Sequence, residues 1–132
     1  MSGSQVPEIA EHASPFSFDV TLDRQVDAIA KSGMTLFARI DHATNARSVG
    51  ATMPSITVLI YGNARGGTPI MLTTPQAALD LPLRVLVREG ANGKTSIAFH
   101  PITTLLGQVG VPADAAASLE PAQRLLSSVI SP

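Results

Sequence analysis

Two polar segments of the chain contain the residue types that could do chemistry. The first is Asp41-His42, at the end of a predicted strand, where the carboxylate could orient the imidazole as a base or a ligand. Neighbouring strand residues point to opposite faces, so the two side chains need not touch. The alternative interpretation, which the pattern favours, is a turn in which Asp41 caps the following helix.

The second polar segment, GNARGG at residues 62–67, lies between a predicted buried strand and a predicted helix. Free N–H groups at the start of a helix can hold an anion, and the Arg65 guanidinium would add charge and paired donors. The glycine spacing fits neither the phosphate loop nor the dinucleotide-binding fingerprint. The segment therefore predicts either an anion site or, as is commoner for such loops, a plain connection.

Asn63 and Asp80 are the other polar candidates. The Asp80 carboxylate could face Arg84 or residues 62–67, or it could simply form a turn before the next strand. Asn63 offers an amide donor and acceptor, and His42 offers a titratable donor. We predict that His42, Asn63 and Asp80 share one pocket, which requires that they lie within about 12 Å of one another. The predicted ligand-binding residues are His42, Asn63, Arg65 and Asp80.

The sequence contains no motif for a metal site or for a catalytic nucleophile. The chain has no cysteine, which excludes disulfides, thiolate zinc sites and cysteine nucleophiles. The histidines form no metal-binding pair, and no serine lies in a G-x-S-x-G motif. A metal would have to be assembled from distant residues such as Asp41, His42 and His100. We predict no metal and no cofactor and assign no catalytic residue, with His42 and Asp41 as the candidates.

The composition bounds the class of protein. A chain of 132 residues corresponds to about one domain, and a hydrophobic share of 45% excludes disorder across its whole length. Nine basic and ten acidic residues argue against a generally basic nucleic-acid-binding protein. The apolar runs are far shorter than the roughly 20 residues that span a bilayer. We therefore predict a cytoplasmic protein without nucleic-acid or membrane partners.

The hydrophobic pattern predicts the elements that must position the polar residues. A flexible arm over residues 1–14 precedes a single domain over 15–132. Alternation of apolar and polar residues predicts strands at 16–20, 34–41, 56–61, 83–87 and 94–99. Helical spacing with start and stop signals predicts helices at 22–32, 43–49, 68–72, 101–107 and 113–130, with a further helical turn at 75–79 that Pro75 begins.

Several details of these elements are specific enough to test. Thr21 is predicted to be the N-cap of the first helix. Leu36, Ala38 and Ile40 are predicted to share one face of their strand. The apolar strand at 56–61 is predicted to be covered on both faces. Pro121 must kink the last helix or begin a new one.

The order of elements predicts an α+β fold. Asn92-Gly93 is a hairpin signal between the last two strands, so the sheet is at least partly antiparallel. With the long helices on one face, the architecture is a two-layer sandwich with a mainly antiparallel sheet of about five strands.

Four runs of sequence, taken together, resemble the domain-of-unknown-function family 302 over about residues 16–130. They are LFARIDHA at 36–43, VLIYGN at 58–63, GTPIM at 67–71 and ALDLPLRVLV at 78–87. The family's FGNP corner appears here as YGNA at 61–64. The resemblance implies a TATA-binding-protein-like fold with the order β-α-β(4)-α, in small dimeric bacterial proteins, and it implies no established activity.

Three functional hypotheses remain open on the sequence alone. The leading one is a small-ligand-binding or interaction module that acts as a homodimer through the sheet face left open by the helices. The second is an enzyme with His42 as general base, Asp41 or Asp80 as its orienting carboxylate, and the N–H groups of residues 62–67 for an oxyanion. The third is a structural self-association domain.

Overall fold

A computed structural model describes residues 8–131 of the chain. The strands are β1 (Ala10–Ser14), β2 (Thr35–Asp41), β3 (Ile56–Gly62), β4 (Leu83–Glu89) and β5 (Thr95–Phe99). The α-helices are α1 (Phe18–Lys31), α2 (His42–Ser48), α3 (Ala64–Thr73), α4 (Ile102–Gln108), α5 (Ala113–Ala117) and α6 (Glu120–Ser128). A 3₁₀ helix (Pro75–Asp80) joins α3 to β4.

The strands form one antiparallel sheet in the order β1-β5-β4-β3-β2. The predicted α+β class and the antiparallel five-stranded sheet are therefore confirmed. The order of elements is β-α-β(4)-α with the short helices α2 and α3 inserted between strands. β4 and β5 form the predicted hairpin, in which Gly93 has φ +77° and the Asn92 side chain accepts a hydrogen bond from the Lys94 N–H.

The prediction of a flexible arm is wrong for residues 10–14, because these residues form β1. Ala10 pairs with Phe99 and Ser14 pairs with Thr95, so β1 is an edge strand of the sheet. Its sequence, AEHAS, has no apolar alternation, and its order comes from backbone pairing with a strand distant in sequence. The rest of the predicted arm, residues 1–7, lies outside the described residues.

The predicted strand at 16–20 is also wrong, because these residues form the start of α1. The Ser17 side chain accepts a hydrogen bond from the Val20 N–H and is the N-cap, so Thr21 is not. Thr21 lies inside the helix, fully buried, with its hydroxyl 2.6 Å from that of Ser14. The alternation of Phe16 and Phe18 imitates a strand but spans the boundary of a helix.

A β-bulge changes the face on which the side chains of β2 lie. Leu36 pairs with Tyr61 and Ala38 pairs with Ile60, so Phe37 is an extra residue on β2. Leu36 therefore packs against the core, whereas Ala38 lies on the opposite face. The prediction that Leu36 shares a face with Ala38 and Ile40 is wrong for this reason.

The hydrophobic core lies between one face of the sheet and α1, α4, α5 and α6. The core-facing residues of the central strands are fully buried, namely Leu59, Tyr61, Val85, Val87 and Ile97. Helix α1 contributes Ile29, and α6 contributes Leu126. α6 is a separate helix with Pro121 in its first turn, so this proline begins a new helix and does not kink one.

Tyr61 is the largest fully buried side chain, and its hydroxyl has no hydrogen-bond partner among the described residues. Burial in this apolar setting raises the pKa of the phenol, because the charged form is desolvated. A raised folded-state pKa means that stability is present below the unfolded-state pKa of about 10 and is lost as the pH rises above it.

We expect Tyr61→Phe to raise the free energy of unfolding by about 1 kcal/mol, because it removes a buried hydroxyl that is not hydrogen-bonded. Tyr61 is the only tyrosine in the chain, so tyrosinate absorbance reports on it alone. In an alkaline titration the absorbance should appear only as the protein unfolds, and the variant should lose less stability above about pH 10. A gradual ionisation of the folded protein near the ordinary phenol pKa would contradict this account.

Candidate functional site

The Asp41 carboxylate caps α2 and does not orient His42. Its Oδ1 accepts a hydrogen bond from the Thr44 N–H at 3.0 Å, and its Oδ2 accepts one from the Thr44 hydroxyl at 2.9 Å. These bonds lower the pKa of Asp41, since they favour the charged form. His42 is exposed and is the first residue of α2. Asp41 is therefore a helix cap, as the second interpretation of the sequence proposed.

We expect Asp41→Ala to lower the melting temperature at neutral pH, because α2 loses its N-cap. The folded-state pKa of Asp41 is lowered, so its stabilisation is present above the unfolded-state pKa of about 4 and is lost as the pH falls below it. Thermal unfolding curves should therefore show a difference that shrinks in acid. Asp41→Asn is the matched control, since asparagine also caps helices. If Asp41→Ala lowered the melting temperature equally at neutral pH and in acid, Asp41 would not be the N-cap of α2.

His42 and Asn63 lie at opposite ends of β3. Asp41 pairs with Thr57 near the start of that strand, whereas Asn63 directly follows its last residue. Six residues at about 3.3 Å each separate the two ends by roughly 20 Å. The predicted pocket shared by His42, Asn63 and Asp80 is therefore wrong, because His42 cannot reach it. The same separation removes the enzyme hypothesis in which His42 acts beside the N–H groups of residues 62–67.

Residues 62–67 do not form an open anion-binding loop. The Asn63 side chain caps α3 by accepting a hydrogen bond from the Arg65 N–H at 2.9 Å. The N–H groups of Gly66 and Gly67 both bond to the Asn63 carbonyl, at 3.0 and 3.1 Å. Three of the N–H donors predicted for an anion, those of Arg65, Gly66 and Gly67, are thus already used, and the Arg65 side chain is exposed at the helix surface. This segment is the first turn of a helix.

Asp80 lies at the end of the 3₁₀ helix, on the same end of the sheet as Asn63. It lines a narrow cleft of about 20 Å³ with Arg84, His100 and Gln123. This volume holds about one water molecule and excludes a larger ligand. Within residues 8–131 no three or more histidine, aspartate or glutamate side chains come together in a group that could hold a metal ion. The alternative metal site of Asp41, His42 and His100 is therefore not formed.

A cavity that the sequence did not predict lies where β3 turns into α3, and we call it the corner pocket. Its volume is about 230 Å³. Its walls come from the bulge of β2, the first turns of α3, the segment before β4 and the connection between α5 and α6. The lining residues are Phe37, Gly62, Asn63, Ala64, Gly67, Thr68, Met71, Leu81, Pro82, Leu83 and Leu119. Among the predicted residues, only Asn63 belongs to it.

The second surface of interest is the face of the sheet away from the core, which we call the open face. The strand register aligns one row of its side chains across β2, β3, β4 and β5, namely Ile40, Val58, Leu86 and Ala98. These residues are not part of the core cluster, and most are only half-buried. β3 is therefore covered on one face and not on both, contrary to the prediction.

Comparison with known proteins supports the fold and adds relatives. A family model described as a domain of unknown function, DUF302, matches residues 10–131, which begin at β1. The chain belongs to the DUF302 family. The crystal structure of an uncharacterized conserved DUF302 protein from Bacillus stearothermophilus matches with a TM-score of 0.84, covering 93% of this chain and 98% of that one at 17% identity. The suspected resemblance to this family is confirmed.

The curated relatives of this DUF302 chain are longer proteins, each of which it matches over one segment only. It is 41% identical over 75 residues, 56% of its length, to the fluoride-specific ion channel FluC 1 of Brucella suis and to FluC 2 of Brucella melitensis. The chain spans less than a third of these relatives, 29% and 27% of their lengths. Within residues 8–131, no helix is long and apolar enough to cross a membrane. Placement in the cytoplasm stays a prediction.

Proposed function

We propose that this DUF302 protein is an interaction module that acts as a homodimer, with the open faces of two copies packed against each other. The observation that carries the proposal is the apolar row of Ile40, Val58, Leu86 and Ala98. Adjacent members are register partners on neighbouring strands, so they form one continuous surface. Apolar patches of this kind on a folded domain mark sites of association.

The size of the open face suits a second copy of the same sheet. Five strands about 4.8 Å apart, with five to seven residues at about 3.3 Å each, give a face of roughly 20 Å by 20 Å. Two such faces in contact bury on the order of 1,000 Å², near the lower limit for a specific interface. We therefore expect dimerisation in the micromolar range.

The charges of the open face also favour a second copy. Arg88 is 3.5 Å from the Glu11 carboxylate, whereas Arg84 takes part in none of the ion pairs found within residues 8–131. A second open face offers both an apolar surface and a carboxylate at Glu11. With two arginines against one glutamate, the face carries too little positive charge to suit a nucleic acid, and we propose none as a partner.

The β2 edge of the sheet is less suited to dimerisation than the open face. β2 is one edge strand, and its bulge at Phe37 interrupts the regular ladder that a second strand would need. Arg39, on the same strand, is exposed. Bulges and charged side chains are the devices that protect edges from pairing.

Sedimentation velocity over a series from low-micromolar to submillimolar protein tests the proposal. We expect the mass to rise toward twice the 13.7 kDa of the chain as the concentration increases. A mass that stays at that of one chain throughout the series would refute the homodimer. Open-ended growth beyond two copies would instead support the structural self-association domain.

A second candidate, that this module responds to fluoride, rests on the 41% identity to segments of fluoride-specific ion channels. Thermal unfolding with sodium fluoride and with sodium chloride at equal ionic strength separates it from the first. A stabilisation specific to fluoride would support this candidate. Equal curves in the two salts would leave the interaction module as the better account.

On the element order β-α-β(4)-α, we further infer that the fold is of the TATA-binding-protein-like class. The name of a fold class carries no activity, because function depends on the residues of a site. The inference therefore concerns architecture alone.

A further inference from the structure

We infer that the corner pocket binds a small, uncharged and mainly apolar molecule that carries one hydrogen-bond acceptor, such as an aryl ketone, an ester or an amide. The pocket is lined by none of the residues of the apolar row on the open face. This inference therefore does not rest on the proposed dimer, and each can fail without the other.

Two glycines, Gly62 at the end of β3 and Gly67 in α3, keep the pocket open. A Cβ atom at Gly67 would lie 3.7 Å from both the Met71 methyl group and a Leu81 methyl group, within the space that these side chains border. At the opposite side, a Cβ atom at Gly62 would lie 3.6 Å from Pro82 and 4.0 Å from the Phe37 ring. The missing side chains leave room between apolar walls, and a ligand can occupy that room.

The bulge on β2 supplies an aromatic wall. Phe37 is the extra residue of that bulge and is 54% exposed, although a phenylalanine gains most from burial. Its ring lines the pocket together with the half-buried Met71 and Leu119. A flat apolar ligand placed among these three side chains would remove from water the part of their surface that is exposed in the empty pocket.

The polar groups of the pocket are suited to an acceptor on the ligand. The Asn63 side-chain oxygen already accepts the Arg65 N–H, which leaves the amide NH₂ as a donor. Thr68 also lines the pocket, and its hydroxyl takes part in none of the hydrogen bonds found within residues 8–131. None of the lining residues from the described part of the chain is charged, so a charged ligand would lose its hydration without finding a counter-charge among them.

The volume limits the size of the ligand. An apolar cavity of about 150 Å³ holds one benzene molecule. The corner pocket, at about 230 Å³, therefore suits a molecule of roughly ten non-hydrogen atoms. Acetophenone has this size, one aromatic ring and one carbonyl acceptor, so it is a suitable probe.

NMR titration of protein labelled at the methionine methyl groups tests the inference. We expect acetophenone to give a saturable shift of the Met71 methyl signal, and benzoate, which has the same size but a negative charge, to give none at equal concentration. Isopropylbenzene, which lacks the acceptor, should bind more weakly than acetophenone. Absence of a saturable acetophenone shift, or equal binding of benzoate, would overturn the inference.

Two variants locate the binding. Gly67→Leu should fill the pocket and weaken acetophenone binding by about tenfold or more. Gly107→Leu is its matched control, a helical glycine with no atom within 4 Å of an added Cβ, and it should leave binding unchanged. Thr68→Val removes the hydroxyl at nearly constant shape and should weaken binding of acetophenone but not of isopropylbenzene. Acetophenone binding that survives Gly67→Leu in a folded variant would place the probe elsewhere and refute the site.

Discussion

Leu86→Glu is expected to convert the homodimer into monomers. Leu86 lies on β4 at the middle of the open face, between its register partners Val58 on β3 and Ala98 on β5. In a face-to-face dimer its replacement places one carboxylate from each copy within the apolar row, and the desolvation of these two charges costs several kcal/mol. We expect the dissociation constant of the dimer to rise at least about a hundredfold, since each 1.4 kcal/mol corresponds to a factor of ten.

The fold of the monomer should survive this change. Leu86 is not part of the core cluster and is only half-buried, so the isolated chain loses little when its side chain is replaced. Leu72→Glu is the matched control, because Leu72 is a 79% exposed leucine on α3, outside the open face. Sedimentation should show monomers for Leu86→Glu and wild-type behaviour for Leu72→Glu. A dimer that tolerates Leu86→Glu would place the interface on another surface.

Gln123→Leu is expected to cost about 2–5 kcal/mol of stability, the largest effect that we predict for a single substitution in the fold. The Gln123 side chain is 4% exposed on α6. Its Oε1 accepts a hydrogen bond from the Ile102 N–H at 2.9 Å, and its Nε2 donates to the His100 carbonyl at 2.9 Å. It thus caps α4, where Pro101 offers no side-chain cap.

Leucine has nearly the same size as glutamine but removes the partner of both backbone groups, the Ile102 N–H, which is buried, and the His100 carbonyl, which is partly buried. Each costs about 1–3 kcal/mol when it is not hydrogen-bonded. Urea unfolding of the variant and the wild type at the same submicromolar protein concentration, at which the chain is expected to be monomeric, measures the loss without a contribution from dimerisation. Gln108→Leu, at an exposed position on α4, is the control and should stay near the wild-type value. A stability of Gln123→Leu within about 0.5 kcal/mol of the control would contradict the assigned role.

The sequence could predict those elements whose signals are local. The apolar runs at 56–61 and 83–87 are the strands β3 and β4, and the predicted helix at 22–32 ends within one residue of the end of α1, followed by Gly33 with φ +79°. The cap at Asp41 was similarly available from the polar residue before a helix. In each case a few residues adjacent in sequence are enough to predict the element or its end.

The elements that were missed depend on distant residues. β1 has no pattern of its own and is ordered by pairing with β5, about 85 residues away. The bulge at Phe37 depends on the register between β2 and β3, which hydrophobic alternation alone does not determine. This one bulge places Leu36 and Ala38 on opposite faces of the sheet.

The candidate site likewise has features that the sequence could predict and features that depend on distant residues. The order of elements could have separated His42 from Asn63, because one precedes β3 and the other follows it. The corner pocket had no such signal, since Phe37, Met71 and Leu119 are ordinary apolar residues far apart in sequence. Only their meeting around the glycines of α3 forms a cavity.

The most direct test of the homodimer is an isotope-filtered NMR experiment on a mixture of methyl-labelled and unlabelled chains, which detects contacts between copies only. The proposed interface predicts intermolecular contacts among the methyl groups of Val58, Ile60 and Leu86, all on the open face. The contacts should weaken on dilution together with the sedimentation mass. Intermolecular contacts confined to other surfaces, or none at a concentration at which the mass has doubled, would contradict packing through the open face.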